Sequence, residues 1–281
     1  MKTIKEIYDI LYTVDDYNHS YLPRVKQCKD TDDIPKVDNA GEVIVDGENK
    51  YQVMHNGVLI HQGCYHQQWM TDLICEMKGH HEPQEEKLFH EILKVIPDNA
   101  LMIECGSFWA YYSLWFHKEI PGAKNIMIEP NPLKLQLGMH NFKANEFGGD
   151  FINAAIHNKP LSKARFKDYT HSIEIPFLSL DWLLENRSID KVDVLHADVQ
   201  EAERHLLAGS SDSLRDHKID FIFLGTHSRN LEMEEYLKGH GYKILESYEV
   251  EESYFDDGLI LACTPEAYER VDTSLLKVSK R

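Results

Sequence analysis

The sequence lacks several features that mark large classes of proteins. Its 281 residues contain no apolar run near the ~20 residues that span a membrane. The N-terminal segment has no uninterrupted apolar stretch and no small-residue cleavage site, so it does not resemble a signal peptide. The five cysteines form no Cys-x-x-Cys pair, which excludes a zinc ribbon and a thioredoxin motif. Their odd, scattered pattern is typical of a reducing compartment, and we expect a cytoplasmic protein.

Positive charge is also scarce. The chain has 30 Lys and Arg against 47 Asp and Glu, a net charge of −17. Nucleic acids and anionic membrane surfaces attract basic proteins, so we expect neither as a partner. Histidine is abundant, with 16 residues, but no His-Glu-x-x-His motif occurs. The adjacent His80 and His81 cannot share a helix face. The histidine content alone therefore predicts no metal site.

Residues 1–80 are predicted to form an N-terminal extension. The turn pairs Asp46-Gly47 and Asn56-Gly57 indicate a small β-meander. The role of the extension stays open between a substrate cap, a contact in a homo-oligomer and structural padding. Its predicted elements are a helix over 3–16, a loop over 22–41, the meander over 42–62 and a helix over 66–78.

From residue 99 onward, apolar strand segments alternate with helical patterns. This predicts an α/β fold with a doubly wound, mostly parallel, seven-stranded sheet in a domain over 81–265. The last two strands have no helix between them, so they should pair antiparallel. The polar segment 157–176 predicts a loop or lid. Residues 266–281 are predicted to form a C-terminal tail, of which the final dozen residues are expected to be loose. The predicted strands lie near 100–105, 124–129, 150–156, 192–198, 219–225, 241–248 and 257–263.

Two of these strands end in an acid. The first ends in Glu104 and leads into a turn at Gly106, and the next ends in Glu129. In an open α/β sheet this layout suits a nucleoside cofactor, because glycine admits the ligand and the second acid can accept hydrogen bonds from ribose hydroxyls. A dinucleotide fingerprint would need three glycines, so a ligand without phosphates, such as S-adenosylmethionine, fits better. A plain strand–turn–helix is the alternative.

Further polar residues follow the fourth and fifth predicted strands. Asp198 and His227 should meet at the sheet edge where open α/β sheets bind ligands. A hydroxyl substrate needs a base, and a histidine with an ordinary pKa of about 6.5 suits that role. The alternatives are a helix cap for Asp198 and a capping or buried polar role for His227.

Six stretches in order, from about residue 79 to 264, resemble the FkbM-type methyltransferases. They are Gly79-His80-His81-Glu82-Pro83-Gln84-Glu85-Glu86, Glu104-Cys105-Gly106 with Tyr111-Tyr112-Ser113, Glu129-Pro130-Asn131-Pro132, Leu195-His196-Ala197-Asp198-Val199-Gln200-Glu201-Ala202-Glu203, Gly225-Thr226-His227-Ser228 and Asp257-Gly258-Leu259-Ile260. The resemblance implies a class I methyltransferase fold and S-adenosylmethionine as cofactor. It also implies O-methylation of a hydroxyl, on a sugar of a glycan or on a secondary metabolite.

The chain departs from the family pattern at three positions. Glu104 stands where the family's first strand commonly ends in Asp, and Ala110 stands where its turn ends in glycine. Glu201 replaces the glycine of the family's Asp-x-x-Gly-Ala-Glu. The last change puts the local backbone geometry and the acceptor preference in question, but not cofactor binding.

The residues and the resemblance together assign a candidate site. We expect His227 to act as the base, beside Asp198 as the second catalytic residue. The expected cofactor contacts are Glu104, Gly106, Ser107, Glu129, Asn131, Asn153, Ala154, Ala155 and Asp198. The expected acceptor contacts are Glu82, Gln200 and Glu203.

Alternative functions remain. A metal-dependent sugar O-methyltransferase would bring together His196, Asp198, Glu203 and His227, but magnesium prefers oxygen ligands and two of these are imidazoles. No metal is therefore expected. A nicotinamide-dependent oxidoreductase should have more glycines in the first turn, and a short-chain enzyme should have Tyr-x-x-x-Lys, which does not occur. A non-catalytic cofactor-binding or scaffold protein is the third alternative.

Overall fold

The computed structural model describes residues 1–12, 21–167 and 172–281. Its strands are β1 (Val43–Asp46), β2 (Asn49–Val53), β3 (Leu59–His61), β4 (Leu101–Cys105), β5 (Lys124–Ile128), β6 (Asp150–Ile152), β7 (Ala155–Ile156), β8 (Leu161–Lys167), β9 (Ser172–Leu178), β10 (Val192–Ala197), β11 (Ile219–Thr226), β12 (Lys243–Tyr248) and β13 (Gly258–Cys263). Its α-helices are α1 (Ile4–Leu11), α2 (Tyr21–Val25), α3 (Gln67–Glu76), α4 (Pro83–Leu93), α5 (Tyr111–Glu119), α6 (Pro132–Ala144), α7 (Leu180–Asn186), α8 (Glu203–Ala208), α9 (Ser211–Arg215), α10 (Asn230–Gly239) and α11 (Pro265–Tyr268).

A seven-stranded sheet forms the centre, in the order β12-β13-β11-β10-β4-β5-β6. Within this sheet β11, β10, β4, β5 and β6 run parallel to one another. Strand β13 is antiparallel to both of its neighbours, β11 and β12. This confirms the predicted doubly wound sheet and its antiparallel final strand. Because β13 runs the opposite way, it begins at the edge where β4, β10 and β11 end.

Side-chain alternation explains why the sheet is covered on both faces. In β11, Phe221 and Phe223 pack on one face, while Ile222 and Leu224 pack on the other. All eight residues of this strand are buried, as expected for a central strand between two layers of helices. Helices α3 to α6 cover the first face, and helices α7 to α10 cover the second.

The predicted extension shares a core with the sheet. Ile7 of α1 and Met70 of α3 belong to the same apolar cluster as Phe89 of α4 and Trp115 of α5. The meander appears as predicted, with β1, β2 and β3 paired antiparallel. Helix α1 ends at Leu11, and residues 13–16 of the predicted first helix lie outside the described part of the chain.

Four sequence predictions about individual segments are wrong. Helix α2 (Tyr21–Val25) occupies the start of the segment 22–41, which was predicted to be a loop. Strands β8 and β9 pair antiparallel within the segment 157–176, which was predicted to be a loop or lid; residues 168–171 lie outside the described residues. The predicted strand 150–156 is split between β6 and β7, which belong to different sheets. The tail is not loose, because Ser279 donates backbone and side-chain hydrogen bonds to Asp30, both of 2.8 Å. In the parts of the chain that the structure describes, no helix has the length and apolar character to cross a membrane.

Candidate active site

The turn between β4 and α5 packs directly against the end of β10. Gly106 has φ +78°, and a Cβ there would lie 1.7 Å from the backbone oxygen of Asp198. Glycine is therefore required for both the conformation and the space. The next residue, Ser107, is 3% exposed, and its Oγ has no hydrogen-bond partner among the described residues. A buried hydroxyl without a partner indicates a place where a ligand can bind.

Glu104, at the end of β4, lies under this turn and is buried. Its carboxylate accepts a hydrogen bond of 3.2 Å from the backbone N–H of Ser113, in the first turn of α5. Helix α5 needs this interaction because its N-cap residue, Ala110, has no side-chain acceptor. Burial raises the pKa of Glu104 to about 7, although nearby His196 acts in the opposite direction.

Glu129, after β5, connects two loops at the same edge. It accepts hydrogen bonds from the backbone N–H groups of Phe108 (3.1 Å) and Asn131 (2.7 Å). Burial raises its pKa to about 7. Asn131 is the N-cap of α6, where its side chain accepts from Leu133 and Lys134. In this structure Glu129 and Asn131 thus hold the loops that would surround a cofactor.

The segment after β6 supports the loop from the other side. The side-chain amide of Asn153 donates hydrogen bonds of 2.9 Å to the backbone oxygens of Glu129 and Pro130. Ala154 is fully buried and Ala155 nearly so. The structure thus brings the predicted cofactor residues of three strand ends together.

His227, directly after β11, lies among carboxylates. Its Nδ1 is 2.8 Å from Oε1 of Glu203, while its Nε2 is 3.2 Å from Oδ1 of Asp257 and 3.8 Å from Oδ1 of Asp198. Burial alone would lower the pKa of this imidazole, but the hydrogen bond to Glu203 and the charges of Asp257 and Asp198 raise it to about 9.

The two aspartates at this rim differ in their surroundings. The Asp198 side chain is 39% exposed and accepts a 2.9 Å hydrogen bond from the side-chain amide of Gln200. Desolvation raises the pKa of Asp198, and His227 opposes this. Burial and the neighbouring charge of Asp198 raise the pKa of Asp257 to about 8. Because Asp198 raises the pKa of Asp257, and Glu82 raises the pKa of both aspartates, this rim carries an excess of negative charge.

A second set of acids lies along the start of α4. Glu82 is 3.2 Å from the Nε2 of His81 and accepts a 3.0 Å hydrogen bond from the hydroxyl of Tyr112. Glu85 pairs with Nε2 of His196 at 2.7 Å. His196 is therefore not part of the cluster around His227, and the four-residue metal set considered from the sequence does not come together.

Sequence reasoning missed Asp257, Glu85 and the contribution of the extension. A small cavity of about 10 Å³ lies between Glu82, Glu85 and Asp257. Tyr65 lies beside this rim, since the charges of Glu82, Asp198 and Asp257, after burial, help to raise its pKa. A larger cavity, of about 300 Å³, is lined only by residues of the extension and by none of the predicted site residues. We therefore locate the site by its chemistry rather than by cavity size.

Comparisons with known proteins identify the family of the chain. The methyltransferase FkbM domain matches residues 99–244. No curated protein matches the chain. Among solved structures, TrmK of M. capricolum in complex with S-adenosyl-homocysteine is 13% identical, and the match covers 63% of this chain and 67% of TrmK with a TM-score of 0.42. The precorrin-6y C5,15-methyltransferase of Geobacter metallireducens is also 13% identical, covering 64% of this chain and 86% of that one with a TM-score of 0.39. A likeness this distant says nothing about the acceptor.

Proposed function

The chain belongs to the FkbM methyltransferase family, and we propose that it methylates a hydroxyl group of a sugar or of another small metabolite. It is a methyltransferase that uses S-adenosylmethionine. The observation that supports a hydroxyl acceptor most strongly is how the two ring nitrogens of His227 are placed. Glu203 is hydrogen-bonded to its Nδ1. Its Nε2 faces the rim beside Asp198 and has no hydrogen-bond partner among the residues that the structure describes.

The residues near Gly106 fit the cofactor. Ser107 offers a buried hydroxyl that is hydrogen-bonded to none of the described residues. Burial holds the pKa values of Glu104 and Glu129 at about 7, and an ammonium or a hydroxyl donor would stabilise their ionised forms. We assign Glu104 to the ammonium and Glu129 to the ribose hydroxyls. The further proposed cofactor contacts are Gly106, Asn131, Asn153, Ala154, Ala155 and Asp198.

The rim residues can then promote methyl transfer. When bound, the cofactor supplies a methyl group on a positively charged sulfur. The acceptor oxygen forms the new C–O bond as the C–S bond breaks, and the electron pair of that bond stays on sulfur. The hydroxyl proton must also leave, because a neutral alcohol is a poor nucleophile. His227 is the proposed residue that activates the hydroxyl, with Nε2 facing the acceptor because Glu203 fixes Nδ1.

The charge of the rim supports a small hydroxyl-bearing acceptor rather than a nucleic acid. Carboxylates dominate it, from Glu82 and Glu85 on one side to Asp198, Glu203 and Asp257 on the other. Such a surface repels a phosphate backbone, and carboxylates readily accept hydrogen bonds from sugar hydroxyls. Glu82, Gln200 and Glu203 are the proposed acceptor contacts.

Methyl-labelled S-adenosylmethionine tests this function directly. The protein is incubated with three separate acceptor pools: cell-envelope glycans with sugar nucleotides, total RNA, and protein. We expect label in the carbohydrate pool, as a methyl ether identified by mass spectrometry. Label in RNA alone would contradict the proposal. Cofactor binding without transfer to any pool would favour the non-catalytic alternative.

A histidine pair provides the matched variants. His227→Ala should lower turnover by roughly 10²–10⁴-fold, the usual contribution of a positioned proton-transfer group, and leave cofactor affinity nearly unchanged. His217→Ala is the control, because His217 is exposed and contacts the backbone oxygen of His240. Near-normal turnover in His227→Ala would remove this residue from the reaction.

A further inference from the structure

We propose that Asp198, His227 and Asp257 bind a divalent cation at the rim of the active site. This inference rests on the proposed function of the same site, and it names the group that would activate the acceptor hydroxyl. Each ligand comes from a different strand end: Asp198 follows β10, His227 follows β11 and Asp257 precedes β13.

The spacing of the three donor atoms fits one cation. The three atoms all lie within 4.8 Å of one another. The Nε2 of His227 is 3.2 Å from Oδ1 of Asp257 and 3.8 Å from Oδ1 of Asp198. In an octahedral site with bonds of about 2.1 Å, neighbouring ligands are about 3.0 Å apart and opposite ligands about 4.2 Å apart. A cation can therefore reach all three atoms after small side-chain rotations.

A second, independent observation is the orientation of the imidazole. Glu203, whose side chain is 4% exposed, lies 2.8 Å from Nδ1 of His227. With Nδ1 directed at a buried carboxylate, Nε2 is directed at Asp198 and Asp257. A cation that displaces the Nε2 proton would bind the lone pair at this position. That Nε2 atom is buried, and within the described parts of the chain it has no hydrogen-bond partner. Metal-binding histidines are held in this way by a carboxylate on the other ring nitrogen.

The charge and the ligand types identify the class of cation. Among the described residues, the ion pairs of Asp198 and Asp257 involve only His227. Two carboxylates with one imidazole suit an ion that accepts both oxygen and nitrogen ligands, and Mn²⁺ is such an ion. The side chains of Asp198 and Asp257 are 39% and 27% exposed. Water or an acceptor oxygen can therefore fill the remaining coordination positions.

The site would change the role of His227. With Nε2 bound to the cation, His227 is a ligand rather than a proton acceptor. An acceptor hydroxyl bound beside it becomes more acidic, because the cation stabilises the alkoxide. The proton then leaves to water at the exposed side of the rim, and the alkoxide oxygen attacks the methyl group.

Direct binding of Mn²⁺ tests the proposal without any methyl transfer. Chelator-treated protein is titrated with Mn²⁺ alone, and binding is followed by calorimetry and by the loss of the free-ion paramagnetic resonance signal. We expect one saturable site. Asp198→Asn and Asp257→Asn should each weaken it at least tenfold, and Glu203→Gln by about 10–100-fold. Asp256→Asn is the matched control, because Asp256 instead accepts a 2.7 Å hydrogen bond from the hydroxyl of Tyr21.

Two results would overturn the cation site. One is the absence of saturable Mn²⁺ binding by the unaltered protein, and the other is Asp257→Asn binding as tightly as Asp256→Asn. The transfer assay separates this failure from that of the proposed function. If methyl transfer to sugar persists in excess chelator, the proposed cation site is wrong and the proposed O-methylation stands. If Mn²⁺ binds saturably but no acceptor pool is methylated, the cation site stands and the proposed reaction is wrong.

Discussion

Replacing Glu104 by glutamine should stabilise the ligand-free protein at alkaline pH and weaken its binding of S-adenosylmethionine. Glu104 is 3% exposed, and burial raises its pKa to about 7. Above that pH the folded protein carries a buried negative charge. Glutamine has nearly the same shape and no charge, and its side-chain oxygen can still accept the hydrogen bond from the backbone N–H of Ser113.

The magnitude follows from the two pKa values. An unfolded glutamate titrates near its ordinary value of about 4.5, whereas folded Glu104 titrates at about 7. The folded state therefore holds this proton more tightly, so stability falls as pH rises from about 4.5 to about 7 and stays reduced above. The full difference is about 3 kcal/mol. Glu104→Gln should thus gain about 1 kcal/mol at pH 5 and about 3 kcal/mol at pH 8.

Two ionisable neighbours influence the pKa of Glu104. His196 on β10 favours the charged form of Glu104, and Glu85 on α4 opposes it. Both residues remain in the variant. The comparison between the two proteins at each pH, rather than the profile of either one, therefore isolates Glu104.

Urea denaturation at pH 5 and at pH 8 measures the effect. Asp193→Asn is the control, because it makes the same carboxylate-to-amide change at a buried position of β10, where Asp193 accepts a 2.8 Å hydrogen bond from Leu101 N. Calorimetry at pH 8 provides the second measurement, in which Glu104→Gln should bind S-adenosylmethionine about 10–100-fold more weakly, the worth of one charge-assisted hydrogen bond. A variant that is no more stable than the unaltered protein at pH 8, or one with an equal gain at both pH values, would refute the reasoning.

Two further predictions concern neighbouring loops. Glu129→Ala should weaken cofactor binding by about 1.5–3 kcal/mol per lost charged hydrogen bond; calorimetry that finds unchanged affinity would exclude Glu129 from the ribose site. Glu201 is exposed and has φ +71°, so Glu201→Gly should relieve strain and raise the unfolding free energy by about 1 kcal/mol in urea titrations; a loss of stability would show that the glutamate side chain compensates for the strain.

The sheet could be predicted from the sequence because its strands carry strong local signals. A strand such as β11 is apolar along nearly its whole length and is bounded by polar residues. A short turn without helical pattern between β12 and β13 was enough to predict their antiparallel pairing. The strands β8 and β9 gave a weaker signal. Their alternation of apolar and polar residues, as in Ile173 and Ile175, was concealed by the high polarity of the segment.

The positions where the chain departs from its family show a limit of reading residue types alone. Glycine is absent at Ala110 and Glu201, and its absence at Glu201 put the local backbone geometry in question. Both residues nevertheless have positive φ values, +60° and +71°. The surrounding contacts thus impose the left-handed conformation on residues that do not favour it. Sequence can show that a favourable residue is missing, but the packing of neighbours decides whether the conformation is lost.

His227 shows why a residue can be predicted when its role cannot. Its place after a central strand was enough to bring it to the rim. Its chemistry depends on what each ring nitrogen contacts, and those partners are distant in sequence: Glu203 at Nδ1, and Asp257 near Nε2. Asp257 reaches the rim only because β13 runs antiparallel and so begins where β11 ends. An acid placed directly before an antiparallel strand of such a sheet is therefore a candidate site residue, although it follows no strand end in the chain.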